Sequence, residues 1–337
     1  MPEALPILCV VTPCYNEAQV IEHFYEALKP VLAALPGLDH RILCVDDGSE
    51  DGTLERLNRL AARDGRVRVH SLSRHFGHQM ALTAGLDAAQ GDAVVMMDCD
   101  LQHPPALIPE MVRLWRAGHE VVCALRQDTV GRSWPKQISS SVFYWLLRRL
   151  TGTPVVAGVA DFCLLSRPAH LALLQFPERH RFLRGLVAWI GFRRALVPFT
   201  APPRLAGHSK YTWRSMTGLA FDALFSFSTV PLRLAGQAGV VAILFSLLYL
   251  LFVLVSLALH KPVVPGWTSI IFVLIFLGGV QLASIGLLGE YVARIFEEAK
   301  RRPLYLLKQQ PAPEILETKP RPRDDETAGR IKDLPRL

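Results

Sequence analysis

The chain has 337 residues and a formal net charge of +7, from 37 Lys and Arg against 30 Asp and Glu. Half of it is hydrophobic and its mean hydropathy is +0.25, too apolar for a wholly soluble protein, with the excess in the C-terminal third. The basic residues gather beside the apolar runs and in the tail, which argues for anionic lipid headgroups and against nucleic acid as the partner.

From Ile7 to about Ala124, short apolar runs alternate with amphipathic ones. Ile7–Thr12, Arg41–Asp46, Val67–Ser71, Ala93–Asp98 and Glu120–Ala124 read as strands, and Val20–Ala34 and Gly52–Asp64 as helices. Strand–helix alternation predicts an α/β fold, a mostly parallel sheet with helices on both faces. Polar turns follow the strands, so chemistry-bearing residues collect at the edge where open α/β sheets bind ligands. Thr12-Pro13-Cys14-Tyr15-Asn16-Glu17 ends the first strand; Tyr15 suits stacking on a base and Glu17 a hydrogen bond to a ribose or ring N–H. Asp46-Asp47-Gly48-Ser49 ends the second, where a carboxylate can bind a base or ribose, or serve a turn and helix N-cap. Ser73 to Gln79 follows the third and opens a helix, an anion-friendly place. The fourth delivers Asp98, Asp100 and Gln102, oxygen ligands suited to Mg²⁺ or Mn²⁺ on a phosphate; capping of the next helix is the simpler alternative.

Ser139–Leu150 suits an amphipathic helix in a membrane interface or an ordinary core helix, and Thr212–Leu232 is a second candidate of that kind. Leu234–Leu259 and Pro262–Gly289 each exceed the roughly 20 apolar residues a membrane-spanning helix needs. With only His260-Lys261 between them they read as a transmembrane hairpin, whose glycines Gly278, Gly279, Gly286 and Gly289 permit close packing. Arg233 before it, and Arg294, Lys300, Arg301 and Arg302 after it, place both termini in the cytoplasm. The start of the chain lacks a secretory signal, so the soluble part is expected in the cytosol of an inner-membrane protein. The six cysteines form no CxxC or Cys/His cluster; zinc is not expected, and reduced buried thiols are.

The segments YNE, DDGS, LSRHFGHQMALTAGLDAAQGD, MMDCDLQHPP, GVADFCLLSR, RFLRG, RLAGHSKY, the apolar hairpin and GEYVARIFEEAKRRPLY occur in this order. Together, from about Ile7 to Tyr305, they resemble the polyisoprenyl-phosphate glycosyltransferases of glycosyltransferase family 2, such as bactoprenol glucosyltransferases and dolichol-phosphate mannose synthases. Cys99 departs from the family, which usually has a small residue such as Ala there. The resemblance implies a GT-A domain, a nucleotide-sugar donor, a polyprenyl phosphate acceptor, a divalent metal and an inverting single displacement. By motif, Pro13, Tyr15, Glu17, Asp46 and Asp47 would bind the nucleoside, with Asp98 between nucleotide and metal. Asp98, Asp100 and Gln102 would hold the metal; Arg126, Arg204 and Lys210 would hold phosphates, Arg126 that of the lipid; and Asp161 would orient acceptor or donor sugar or act as a base.

The expected division is a cytoplasmic catalytic domain over 1–210, an interface helix over 211–233, membrane helices over 234–259 and 262–289, an amphipathic helix over 290–308 and a disordered tail over 309–337. The FGHQ and RFLRG segments favour UDP-glucose, with GDP-mannose or an amino-arabinose donor as alternatives, and undecaprenyl phosphate as acceptor. A homo-oligomer, a tetramer by the resemblance, is compatible with the glycine-bearing hairpin. A processive polysaccharide synthase is disfavoured because no QxxRW motif and no further apolar spans are present. A non-catalytic membrane scaffold or transport subunit would not need the acidic triad with its basic partners.

Overall fold

The computed structural model describes residues 5–127, 156, 158–179, 181–200, 202, 230–259 and 266–308. Arg204, Lys210, the Ser139–Leu150 segment, most of Thr212–Leu232, the loop at His260-Lys261 and the tail from 309 lie outside the described residues. Among the described residues, one sheet contains β1 (Ile7–Cys14), β2 (Asp39–Asp46), β3 (Val67–Ser71), β4 (Ala93–Met96), β5 (Val121–Arg126), β6 (Val159–Ser166) and β7 (Arg194–Phe199). Their order is β3-β2-β1-β4-β6-β5-β7.

Leu8 to Cys14 are all buried, as a strand covered on both faces requires. Alternation along β1 splits the core into two layers. Leu8 and Val10 pack with Phe24 and Leu28 of α1 (Ile21–Ala33), Leu57 of α2 (Thr53–Arg63) and Met111 of α4 (Ile108–Arg116). Val11 and Val94 pack with Leu82 and Leu86 of α3 (His78–Ala88), Leu173 of α5 (Arg167–Leu174) and Leu183 of α6 (Leu183–Trp189).

The expected parallel sheet is present with one exception. β6 runs antiparallel to both β4 and β5, while β1–β2, β2–β3, β1–β4 and β5–β7 are parallel. This reversal brings the start of β6 to the edge where β1, β2 and β4 end. Met96 pairs with Cys163. Continuing that register by two residues sets Asp98 opposite Asp161.

The expectation of reduced thiols fails for one pair. Cys123 and Cys163 are register partners on β5 and β6, 4.1 Å apart at Cα, and are joined as a disulfide. Their separation of 40 residues hid this neighbourhood from any spacing argument. Cys9, Cys14, Cys44 and Cys99 are free and buried.

Two long apolar helices follow, α7 (Val230–Ala258) and α8 (Trp267–Ala299). By length and composition, Phe276–Ala299 is the one stretch among the described residues able to cross a membrane; Ala235–Tyr249 is a shorter apolar helix. α8 continues unbroken past the expected boundary at 290. Beyond it the chain returns to the sheet, where Leu307 bridges Leu72 in antiparallel fashion.

Candidate active site

Loops after β1 and β2 interlock at the sheet edge. Asn16 adopts φ 52°, a left-handed conformation that Asn tolerates better than most residues. Its N–H donates to Ser49 Oγ at 3.0 Å, and its side-chain oxygen accepts the Glu50 N–H at 2.9 Å. The Glu17 N–H donates to Thr53 Oγ1 at 2.9 Å. Across the cleft, the Cys99 thiol donates to the Pro13 carbonyl at 3.4 Å, tying the end of β1 to the carboxylate loop. The family departure at Cys99 is thus a small buried residue whose thiol bonds to the end of the neighbouring strand.

Asp46 and Asp47 are both buried, and their oxygens are engaged by the chain. Asp46 accepts the Ser49 N–H at 3.3 Å and the Ser71 hydroxyl at 3.1 Å. Asp47 accepts the N–H groups of Phe76 at 2.7 Å and Gly77 at 2.9 Å, with His75 Nδ1 2.8 Å away. Burial pushes the Asp47 carboxyl above the usual carboxylate range, against the pull of those N–H groups and of His75. The loop it holds stacks His75 on Tyr15, with centroids 3.9 Å apart and planes at 22°. Gly48, at φ +70°, lets the two loops meet: a Cβ there would stand 2.5 Å from the Arg74 carbonyl carbon.

The second half of the site lies between β4, α3 and β6. Asp98 and Asp100 sit just past β4, and the Gln102 N–H donates to Asp100 Oδ1 at 3.0 Å. The Asp98 N–H donates to His103 Nδ1 at 3.0 Å, which assigns the His103 ring proton to Nε2. His103 is buried, stacked on Phe162 and edge-on to Phe199. His78, at the start of α3, points Nε2 to 3.4 Å from Asp98 Oδ1 and 3.9 Å from Asp161 Oδ2.

Asp161 is 4% exposed and receives Arg184 as a two-pronged partner, Nε to Oδ1 at 2.6 Å and the terminal amine to Oδ2 at 2.7 Å. Gln79 bridges the same elements, donating to Asp161 Oδ2 at 3.5 Å and accepting the Leu183 N–H at 3.3 Å. Burial works to raise the Asp161 carboxyl. The charge and hydrogen bonds of Arg184 outweigh it and hold the group below the usual carboxylate range.

Asp98 Oδ1 is buried and accepts no hydrogen bond, with His78 Nε2 near it at 3.4 Å, so a cation could satisfy it. Among the described residues no three His, Cys, Asp or Glu side chains form a metal cage. Two carboxylates fit the way Mg²⁺ is held, by one or two protein oxygens with substrate phosphates and water completing the shell.

Thus Pro13, Tyr15, Glu17, Asp46, Asp47, Asp98, Asp100, Gln102 and Asp161 gather at one edge of the sheet. Arg126 ends β5 at that edge with an exposed side chain. Sequence reasoning assigned no role to Arg184, Gln79 or His103, and to His78 only hydrogen bonding rather than metal ligation, although RFLRG and FGHQ drew notice as segments. His103 lies two residues past the Asp98–Asp100 loop's Leu101, whose φ of 60° marks a tight turn.

These features define a glycosyltransferase with a GT-A-like mixed α/β sheet. The glycosyl transferase family 2 profile matches residues 9–173. An uncharacterized glycosyltransferase of Synechocystis is 41% identical over 300 residues, 89% of this chain and 94% of that one. A bactoprenol glucosyl transferase of Shigella phage SfV is 36% identical over 303 residues, 90% of this chain and 98% of that one. The chain belongs to glycosyltransferase family 2. Among solved structures, a mannosyltransferase from Pyrobaculum calidifontis in complex with GDP-Man and Mn²⁺ is 20% identical, covering 67% of this chain and 64% of that one with TM-score 0.46.

Proposed function

We propose that the protein transfers glucose from UDP-glucose to undecaprenyl phosphate at the cytoplasmic face of a membrane, with inversion at the anomeric carbon. The observation that carries this reading is a sheet edge bearing Asp98 and Asp100 in the same chain as the apolar helix Phe276–Ala299. Support comes from the near full-length similarity to proteins named bactoprenol glucosyl transferase. In this reading α7 and α8 span the membrane as a hairpin with both termini cytoplasmic, keeping the site beside the lipid's phosphate.

Tyr15, Pro13 and Glu17 receive the nucleoside, and Asp46 and Asp47 hold the walls of that pocket. Asp98 and Asp100, with Gln102, would hold Mg²⁺ or Mn²⁺; when bound, the cation would neutralise charge on the leaving nucleoside diphosphate. A polyprenyl phosphate already carries an anionic oxygen near neutral pH, so attack on the anomeric carbon needs alignment and charge neutralisation more than a base. Arg126, with Arg204 and Lys210, supplies the positive charge that lets two phosphate-bearing reactants approach. Asp161 acts as a positioning residue: both its oxygens are bound to Arg184 and fix that guanidinium, which favours orientation over proton abstraction.

The test is to incubate the detergent-solubilised protein with undecaprenyl phosphate, Mg²⁺ and radiolabelled UDP- and GDP-sugars. Label from UDP-glucose should enter the organic phase and stop with EDTA. Transfer from GDP-mannose or a UDP-amino sugar alone would rename the donor. No transfer from any donor into the lipid would overturn the reading.

A further inference from the structure

The chain beyond α8 makes contacts that membrane anchoring does not call for. Glu298 near the helix end accepts the Arg179 N–H at 2.7 Å, and the Arg302 carbonyl accepts from the Arg179 guanidinium. The chain then lies along β3 as a short antiparallel strand. The Ser73 N–H donates to the Leu306 carbonyl at 2.8 Å, and the Lys308 N–H to the Ser71 carbonyl at 2.7 Å, flanking the Leu72–Leu307 bridge. Tyr305 and Leu307 pack on the core layer beneath α3, and the Tyr305 hydroxyl donates to Asp87 Oδ2 at 2.9 Å.

The segment this strand pairs with, Ser71–Ser73, leads into the nucleoside side of the site. Ser71 donates to Asp46, and Leu72 donates its N–H to the Asp46 carbonyl at 2.8 Å. Ser73 opens the loop whose Phe76 and Gly77 N–H groups grip Asp47 and whose His75 stacks on Tyr15. Asp87 lies on α3, the helix that carries His78 and Gln79 to Asp98 and Asp161.

Resting on the donor assignment above, we propose that Arg302–Lys308 is a positioning strap that fixes the Ser73–Gly77 loop, and thereby sets donor affinity. Pairing at Ser71 and Ser73 ties down the end of β3 and limits where residue 73 can sit. A loop held from one side by Asp47 and from the other by the strap presents His75 and Tyr15 in one arrangement, which lowers the ordering cost of binding. Because the strap is rooted at the end of α8, the apolar helix and the donor pocket share one mechanical connection.

The test uses the full-length enzyme in lipid nanodiscs. Lys308→Pro removes the N–H donated to Ser71, whereas Lys308→Ala keeps it; Leu307→Asp expels the strap's apolar anchor. Amide exchange at Phe76 and Gly77 is measured together with KM for the donor, KM for the acceptor and kcat. The expected result is exchange about tenfold faster and donor KM roughly tenfold higher in Lys308→Pro and Leu307→Asp, a change worth about 1.4 kcal/mol. Acceptor KM and kcat should stay near wild type, and Lys308→Ala should behave as wild type. Unchanged exchange at both amides in Lys308→Pro and Leu307→Asp overturns the proposal, whatever the donor is. Faster exchange with an unchanged donor KM overturns its affinity half. If the wild type transfers from no nucleotide-sugar, the donor assignment fails, and exchange alone decides whether the strap holds the loop.

Discussion

The two halves of the sheet present their chemistry in different ways. In β3-β2-β1-β4 each strand ends in the polar turn that does the work, so residue order and spatial order coincide. In β6-β5-β7 the reversed strand β6 contributes Asp161 near its beginning, and its partner Arg184 comes from the first turn of α6. The first half builds a pocket from backbone-bound carboxylates and a stacked ring. The second builds a charged cluster around a single buried ion pair. Parallel βα units therefore advertise a site by strand end and turn, whereas an antiparallel return hides it within an apolar run.

The largest effect should come from the boundary between the halves. Asp100→Ala should lower kcat about 10³-fold through lost charge neutralisation, with a circular dichroism spectrum like wild type. Wild-type turnover in that variant would remove the metal-binding role. Asp161→Asn should lower kcat roughly 10²-fold, because it releases Arg184 from its two-pronged contact. Arg184→Lys, which keeps the charge but not the fork, should fall nearly as far. In the first half, Gly48→Ala should cost about 3 kcal/mol and lower Tm by roughly 6–12 °C, since the new Cβ meets the Arg74 backbone at positive φ. His75→Ala should weaken donor binding only about 2- to 10-fold, the value of one aromatic stack.

The ion pair also sets a pH dependence. The Asp161 carboxyl titrates lower in the folded protein than in the unfolded chain, so its contribution is fully present above the unfolded value near about 4 and disappears as pH falls through the folded value. The Tm difference between wild type and Asp161→Asn should be constant from pH 6 to 8 and shrink in acid below about pH 4. A difference that grew in acid would contradict the pairing with Arg184.

Much of the first half was legible in the sequence. An apolar strand followed at once by Asp46-Asp47 or by Asp98 and Asp100 has few other uses at a sheet edge. What spacing could not show is how the carboxylates are used. Asp47 spends both oxygens on the 75–77 loop, a contact between residues about 30 apart that no local pattern encodes. The second half was less legible for the same reason. Arg184 lies 23 residues after Asp161, and Cys163 lies 40 after its disulfide partner Cys123. Such pairs exist only once β6 inserts between β4 and β5. The Val159–Ser166 segment is buried throughout, and an apolar run of that length carries no periodicity that distinguishes strand from helix. The strap after α8 was equally hidden, because a two-bond edge strand leaves no compositional trace.

The most direct test of the central claim is calorimetric titration of UDP into the wild type, Asp98→Asn and Asp100→Asn, each with Mn²⁺ and with EDTA. Wild-type binding with Mn²⁺ should weaken at least tenfold in EDTA, and the two variants should bind as weakly with Mn²⁺ as the wild type does without it. Equal UDP affinity in all three proteins, with and without the cation, would contradict the assignment of this edge as the donor phosphate site.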